Sequence, residues 1–286
     1  MVSSEQSHAF GRILAGTDGS ERAEVAVRRA ARLASVTGAA LDLVYIIETS
    51  RPHDDAEVEP KADAVLQRAE GIASTRSVPA STRVVAGDPA EALLEEAADH
   101  AADLICVGPD AGLLAGTVRV GRVASHVLRH APCSVLVGRE AGSTFPESIL
   151  CGVDGSASSI ETAGHAASIA VSAGAELRLQ HVVPVYEGDE RELTLDDDEP
   201  DPIEIESAAQ VARAVGARLI RERALGRPEY AILEAAGRER SDLVVVGSRG
   251  LSGVARVFLG SVSEYVARHA HCSVLVGRPG STGAGP

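Results

Sequence analysis

Residues Arg12–Ser20 read R-I-L-A-G-T-D-G-S, and residues Ser148–Ser156 read S-I-L-C-G-V-D-G-S. Two more blocks recur in the same order. Asp103–Gly108 is D-L-I-C-V-G, matched by D-L-V-V-V-G at Asp242–Gly247. Arg129–Arg139 is R-H-A-P-C-S-V-L-V-G-R, matched by R-H-A-H-C-S-V-L-V-G-R at Arg268–Arg278. Three matched blocks in one order mark a duplicated unit. Between the copies, Glu140–Glu147 (E-A-G-S-T-F-P-E) carries the small and breaker residues of a linker. The units are therefore expected at 1–141 and 146–286.

Each unit reads as alternating strands and helices. In the second, apolar strands are predicted at Ile149–Val153, Leu177–Val183, Arg218–Ala224, Leu243–Val246 and Ser273–Val276. Helices are predicted at Ser159–Ala173, closed by Gly174, and at Ile203–Val215, Glu229–Arg238 and Ser261–His269. The first unit follows the same order, from Ile13–Ala15 to Ser134–Val137. This alternation implies an α/β fold: two tandem open parallel sheets with helices on both faces. Runs such as L-V-V-V suit strands covered on both sides. Such sheets bind ligands outside the carboxyl ends of their strands, where the strand order reverses. The loops beginning at Asp154, Val182 and Gly247 are therefore the places to look.

Composition narrows the partners. The net charge is −14 and aromatics are 2% of the chain, with no tryptophan. An acidic chain without stacking platforms is a poor match for nucleic acid or an anionic membrane. No run approaches the length of a membrane span. Residues Met1–Phe10 lack the apolar core of a signal peptide, so the expected location is the cytoplasm. Cys106, Cys133, Cys151 and Cys272 lie in apolar runs without C-x-x-C spacing and read as buried structural thiols. Lys61 is the lone lysine, which excludes a P-loop.

The chemistry-bearing stretch is Gly247–Ser261, G-S-R-G-L-S-G-V-A-R-V-F-L-G-S. Its glycines let the backbone approach a ligand. Ser261 opens a helix, where bare N–H groups and the positive dipole end form a seat for phosphate. Ser248, Arg249 and Ser252 add donors. The spacing G-x2-G-x9-G-[ST] resembles the ATP-binding signature of the universal stress protein family, and the likeness covers both units. It includes the Asp-Gly-Ser after each first strand, the Gly226-x-Pro228 turn and the closing S-V-L-V strands. The resemblance implies an adenine nucleotide alpha-hydrolase-like, Rossmann-like fold and ATP as ligand, with Mg2+ as a possible companion. It assigns adenine recognition to Asp154 and the backbone of Val182. It gives the phosphates to Gly247, Gly250, Gly260 and Ser261, with Ser248 and Val262 contributing backbone contacts.

The first unit departs from this pattern. The same loop gives Gly108, Ala111, Gly121 and Arg122, with Asp110 inside it. A Cβ and a carboxylate then stand where phosphate needs space and donors, although Arg122 is itself a phosphate ligand type. This site is read as degenerate, while Asp18 and Ile46 keep the adenine-contact positions. His130 and His269 occupy matching helix ends and suit a dipole or capping role. The acidic run Glu187–Glu206 reads as a solvated loop or as a lid offering a magnesium contact, so metal ligands stay unassigned. No general base or lysine is evident for phosphoryl transfer. The leading function is an ATP-binding sensor or regulator of a stress response rather than a committed enzyme. A slow ATPase and a scaffold that binds no nucleotide are the alternatives. The resemblance further implies pairing through the last strands, here within one chain as a pseudo-dimer, and leaves a homodimer of whole chains open.

Overall fold

Strand and helix alternate in both halves, as the period of the apolar residues demands. A computed structural model describes residues 9–50, 55–109, 113–114, 117–118, 120–140, 144–185, 202–248, 250 and 259–280. The first half runs β1 (Arg12–Thr17), α1 (Glu21–Thr37), β2 (Ala40–Glu48), α2 (Asp55–Ser74), β3 (Ala80–Gly87), α3 (Pro89–Asp99) and β4 (Leu104–Val107). A short pair, β5 (Leu113–Leu114) and β6 (Thr117–Val118), precedes α4 (Arg122–His130) and β7 (Ser134–Val137). The second half runs β8 (Ser148–Val153), α5 (Ala157–Ala173), β9 (Glu176–Pro184), α6 (Ile203–Ala214) and β10 (Leu219–Gly226). It ends with α7 (Pro228–Arg238), β11 (Leu243–Gly247), α8 (Ser261–His269) and β12 (Ser273–Gly277).

Boundaries shift by a residue or two from the sequence expectation where a cap decides them. α5 begins at Ala157 rather than Ser159 because the Ser156 hydroxyl accepts the Ser159 N–H and so takes the N-cap position. It ends at Gly174, which adopts the left-handed conformation (φ 68°) that a helix C-terminus favours. His130 and His269 bring Nδ1 to carbonyls of their own last turns, at His126 (2.9 Å) and Tyr265 (2.8 Å). No helix among the described residues is long and apolar enough to cross a membrane.

The strand order is β10-β9-β8-β11-β12-β7-β4-β1-β2-β3. All neighbours are parallel except β12 and β7. The sheets of the two halves meet through their last strands, β7 and β12, the pairing expected from the resemblance, and so form one ten-stranded sheet. In each half the order reverses between the first and fourth strands, β1/β4 and β8/β11. Helices α1, α2, α5 and α6 bury their apolar faces on one side of the sheet, and α3, α4, α7 and α8 on the other. All four cysteines are buried and unbridged. Burial pushes Cys133, Cys151 and Cys272 up to about 12, which leaves the thiols protonated and inert.

The seam between the halves is made by the repeated S-V-L-V-G-R segment pairing with its own copy. Leu136 faces Leu275 across the antiparallel ladder. Beyond the ladder the two ends lock crosswise: Arg139 donates its N–H to Ser273 Oγ (3.0 Å), and Arg278 donates to Ser134 Oγ (3.1 Å). The Arg139 guanidinium crosses to the Cys272 carbonyl (3.2 Å) and to Ala267 at the end of α8. Arg278 reaches Leu128 in α4 at 2.6 Å. Two of the chain's three phenylalanines complete the exchange. Phe10, leading into the first half, lies 5.4 Å from the His165 ring on α5. Phe145, leading into the second, stacks 4.4 Å from the Arg29 guanidinium on α1.

Burial pushes the Arg139 guanidinium down to about 10, still well above neutrality, so the cation is retained; its two terminal nitrogens serve the Cys272 and Ala267 carbonyls, while the buried Nε has no partner among the described residues. Replacing Arg139 with Met leaves the Ala267 and Cys272 carbonyls without this donor. The expected loss is about 2–4 kcal/mol of unfolding free energy, read from the midpoint of urea denaturation. His165 is buried, and neither ring nitrogen has a partner among the described residues. Desolvation lowers its pKa, so the folded chain holds it neutral while the unfolded chain titrates near 6.5. Its stability contribution is complete above that value and is lost as pH falls through it toward the lower folded value. Comparing urea midpoints at pH 7.5 and 5.5, His165→Leu is expected to lose less stability on acidification than the parent chain.

Candidate functional site

The strand order reverses at β8/β11, the position outside the carboxyl ends of the strands where open α/β sheets bind ligands. β8 ends in Val153, and Asp154 follows it, half-buried. Gly155 takes a left-handed turn (φ 79°) where any Cβ would run into the Glu204 side chain of α6. Asp154 is oriented by that turn. Its Oδ1 accepts the Ser156 N–H (3.0 Å) and the Ser156 hydroxyl (2.6 Å), and its own N–H lies 3.3 Å from Ser159 Oγ. Its Oδ2 faces Gly250, where an added Cβ would lie only 2.7 Å away.

β11 ends in Gly247, packed so closely on α5 that a Cβ would stand 3.2 Å from Ser159 N. This glycine is therefore favoured by helix packing, whatever its role toward a ligand. The loop that follows is tied at its root. Gly260 donates to the Ser248 carbonyl at 2.8 Å, and the Ser263 hydroxyl donates to the Gly247 carbonyl at 2.5 Å. Gly260 is the N-cap of α8 and, lacking a side chain, supplies no capping bond. Ser261, the first helical residue, is exposed, and Val262 is half-buried. The start of α8 thus has its positive end uncapped by any side chain. Ser248 is fully buried, and its hydroxyl has no partner among the described residues. Arg249 and Ser252 lie outside the described residues, as do Glu187–Asp201 of the acidic run. Of the rest of that run, Glu206 pairs with Arg213 (2.9 Å) and Arg221 (3.2 Å).

Val182 completes the set from β9. The β8 ladder ends at the Val153–His181 pair, so Val182 stands one residue beyond it, with its side chain buried. The fold therefore sets Asp154 against Gly250, ties Gly260, which precedes Ser261, to Ser248 beside Gly247, and places Val182 one residue beyond the β8 ladder. Sequence reasoning missed Ser159 and Ser263, which hold these two loops. Ser263, in the first turn after Gly260, was the signal for a hydroxyl folding back onto the loop.

The first half builds the same frame and fills it differently. Asp18 is exposed, and its Oδ1 accepts only the Ser20 N–H at 2.9 Å among these turn contacts. Ile46 occupies the Val182 position, one residue past the Thr17–Tyr45 pair. Gly108 is held against α1, where a Cβ would stand 2.6 Å from the Arg22 carbonyl. Gly121 caps α4 without a side-chain bond. Asp110 and Ala111 lie outside the described residues. Arg122, whose charge suggested a substitute phosphate ligand, is instead paired with Asp88 (2.9 Å) and Glu48 (3.7 Å). Its hydrogen bond lowers the Asp88 pKa.

The sequence matches the universal stress protein family profile twice, over residues 9–139 and 146–278. The chain belongs to this family. A universal stress protein of Mycolicibacterium smegmatis is 29% identical over 301 aligned residues, covering 93% of this chain and 97% of its own. The crystal structure of a universal stress protein from Archaeoglobus fulgidus superposes with a TM-score of 0.76 at 21% identity, over 94% of this chain and 99% of that one, and so shares the fold. A further solved universal stress protein, in complex with cAMP, is 32% identical over 46% of this chain and 94% of its own, with a TM-score of 0.36. That nucleotide belongs to that protein.

Proposed function

We propose that the second unit, residues 146–286, binds one ATP at the β8/β11 reversal, and that the chain acts in the cytoplasm as a nucleotide-dependent regulator of a stress response. The observation that carries this is the approach of Gly250 to the Asp154 carboxylate. It sets an oriented acceptor on one side, opposite the bare N–H groups at the start of α8; the Ser248 and Gly260 amides themselves are committed to the Gly277 and Ser248 carbonyls. Asp154 Oδ2 is an acceptor suited to a purine amino group. Val182, just past the end of the β8 ladder, offers main-chain groups to the same ring. The uncapped start of α8, with the Ser261 hydroxyl, suits the phosphates. The first unit, residues 1–141, is proposed to bind no ATP, since the Asp88 and Glu48 carboxylates stand with Arg122 at the start of α4 and would repel phosphate.

Titration calorimetry with ATP is the test. One ATP per chain is expected, and two would contradict the asymmetry. Gly250→Ala combined with Ser261→Ala is expected to abolish the binding heat. Asp18→Ala and Arg122→Ala, at exposed first-half positions, are expected to leave it within about twofold. No binding by the parent chain at millimolar ATP would overturn the proposal.

A further inference from the structure

We infer that Arg227 is a phosphate-contact residue of the second-half site and sets its preference for ATP over adenine compounds with less charge. The inference rests on the nucleotide reading above and extends it to a residue outside the loop signature.

The two halves carry opposite charges at matching places. In the first half, a gap separates the start of α4 from the ends of β2 and β3. Arg122 spans it, reaching Asp88 just past β3 and Glu48 at the end of β2. Register fixes the counterparts: Glu48 pairs with Gly87 as Pro184 pairs with Gly226, and Asp88 and Arg227 follow those glycines. Gly121-Arg122 and Gly260-Ser261 open the equivalent helices α4 and α8. In the second half the triad Glu48, Asp88, Arg122 is thus replaced by Pro184, Arg227 and Ser261. The arginine has moved to the strand side of the same gap, and both carboxylates are gone. An arginine crosses that distance in one direction in the first half, so its reach is sufficient in the other direction.

The side chain is already held on the appropriate side. The Arg227 guanidinium lies 4.8 Å from the Tyr230 ring centre, and Tyr230 packs edge-on against Tyr265 of α8 at 5.3 Å. Tyr265 is one helical turn beyond Ser261, on the same face. Arg227 pairs with Glu229 of its own helix at 2.6 Å, and its side chain is 60% exposed. A guanidinium has five donors, so this contact does not exhaust it. At the root of the same loop, the buried Ser248 hydroxyl lacks a partner among the described residues. A buried donor in that condition is a cost that a bound ligand can remove. The chain carries a net charge of −14, so a polyanionic nucleotide needs a local cation to offset the overall repulsion.

The test is calorimetric titration of the full chain with ATP, AMP and adenosine at fixed ionic strength, with thermal melting as the check on folding. Arg227→Asp installs the first-half residue. It is expected to weaken ATP about ten- to hundred-fold, the usual range for a lost charge-assisted hydrogen bond, and adenosine less than about twofold. Arg227→Lys keeps a charge without the planar fork and is expected to fall between. Unchanged ATP affinity in Arg227→Asp would overturn this inference and leave the nucleotide reading intact. So would equal losses for ATP and adenosine. A parent chain that binds neither compound would overturn both.

Discussion

The antiparallel pairing of β7 with β12 is the constraint from which the rest of the molecule follows. Each half alone would expose its last strand as a sheet edge, a row of unpaired amides and carbonyls that invites association. Joined through S-V-L-V-G-R and its copy, the two edges satisfy each other. The remaining edges are β3 and β10, which carry charged side chains such as Arg83, Arg221 and Glu222. The crossed arginines add a second bond between the halves, since each donates to carbonyls in or beside the other half's last helix. Those helices, α4 and α8, are the same ones whose opposite ends open with Gly121-Arg122 and Gly260-Ser261. The seam and the sites are thus connected through two short rigid elements.

Duplication gave the two halves one frame, and charge exchange made them different. A buried cluster of Asp42 with Arg12 and Arg83 in the first half becomes Arg178 with Glu222 and Glu239 in the second. Position for position, Asp42 and Arg83 become Arg178 and Glu222, whereas Arg12 gives way to Ser148 and Glu239 stands where the first half has His100. At the two helix starts the partners differ: Arg122 pairs with Asp88 and Glu48, and Arg227 pairs with Glu229. The first half retains a self-satisfied triad around Arg122, whereas the second retains a cation, a hydroxyl and a bare helix start. One frame therefore carries different charges at two matching helix starts.

Much of the candidate site was legible in the sequence, because its logic is local. Asp-Gly-Ser after an apolar run gives a turn and a cap in any context, and the glycine spacing marks where a loop approaches something closely. What each glycine approaches was not legible. Gly247 is favoured by packing on α5, whereas Gly250 is set against a carboxylate ninety-odd residues earlier in the chain. The role of Arg122 was also hidden. Its type suggested a phosphate ligand, but Asp88 and Glu48 reach it only through the ends of two other strands.

The sequence by itself determined the duplication, the alternation of strand and helix, and the places where loops leave the strands. These follow from periodicity and turn chemistry, which act over a few residues. Tertiary structure alone decided that Arg139 and Arg278 belong to the seam, and that Arg122 pairs with Asp88 and Glu48. Those outcomes depend on charges and carbonyls brought together from distant positions in the chain. Side-chain reach across a folded gap has no signature in the order of residues.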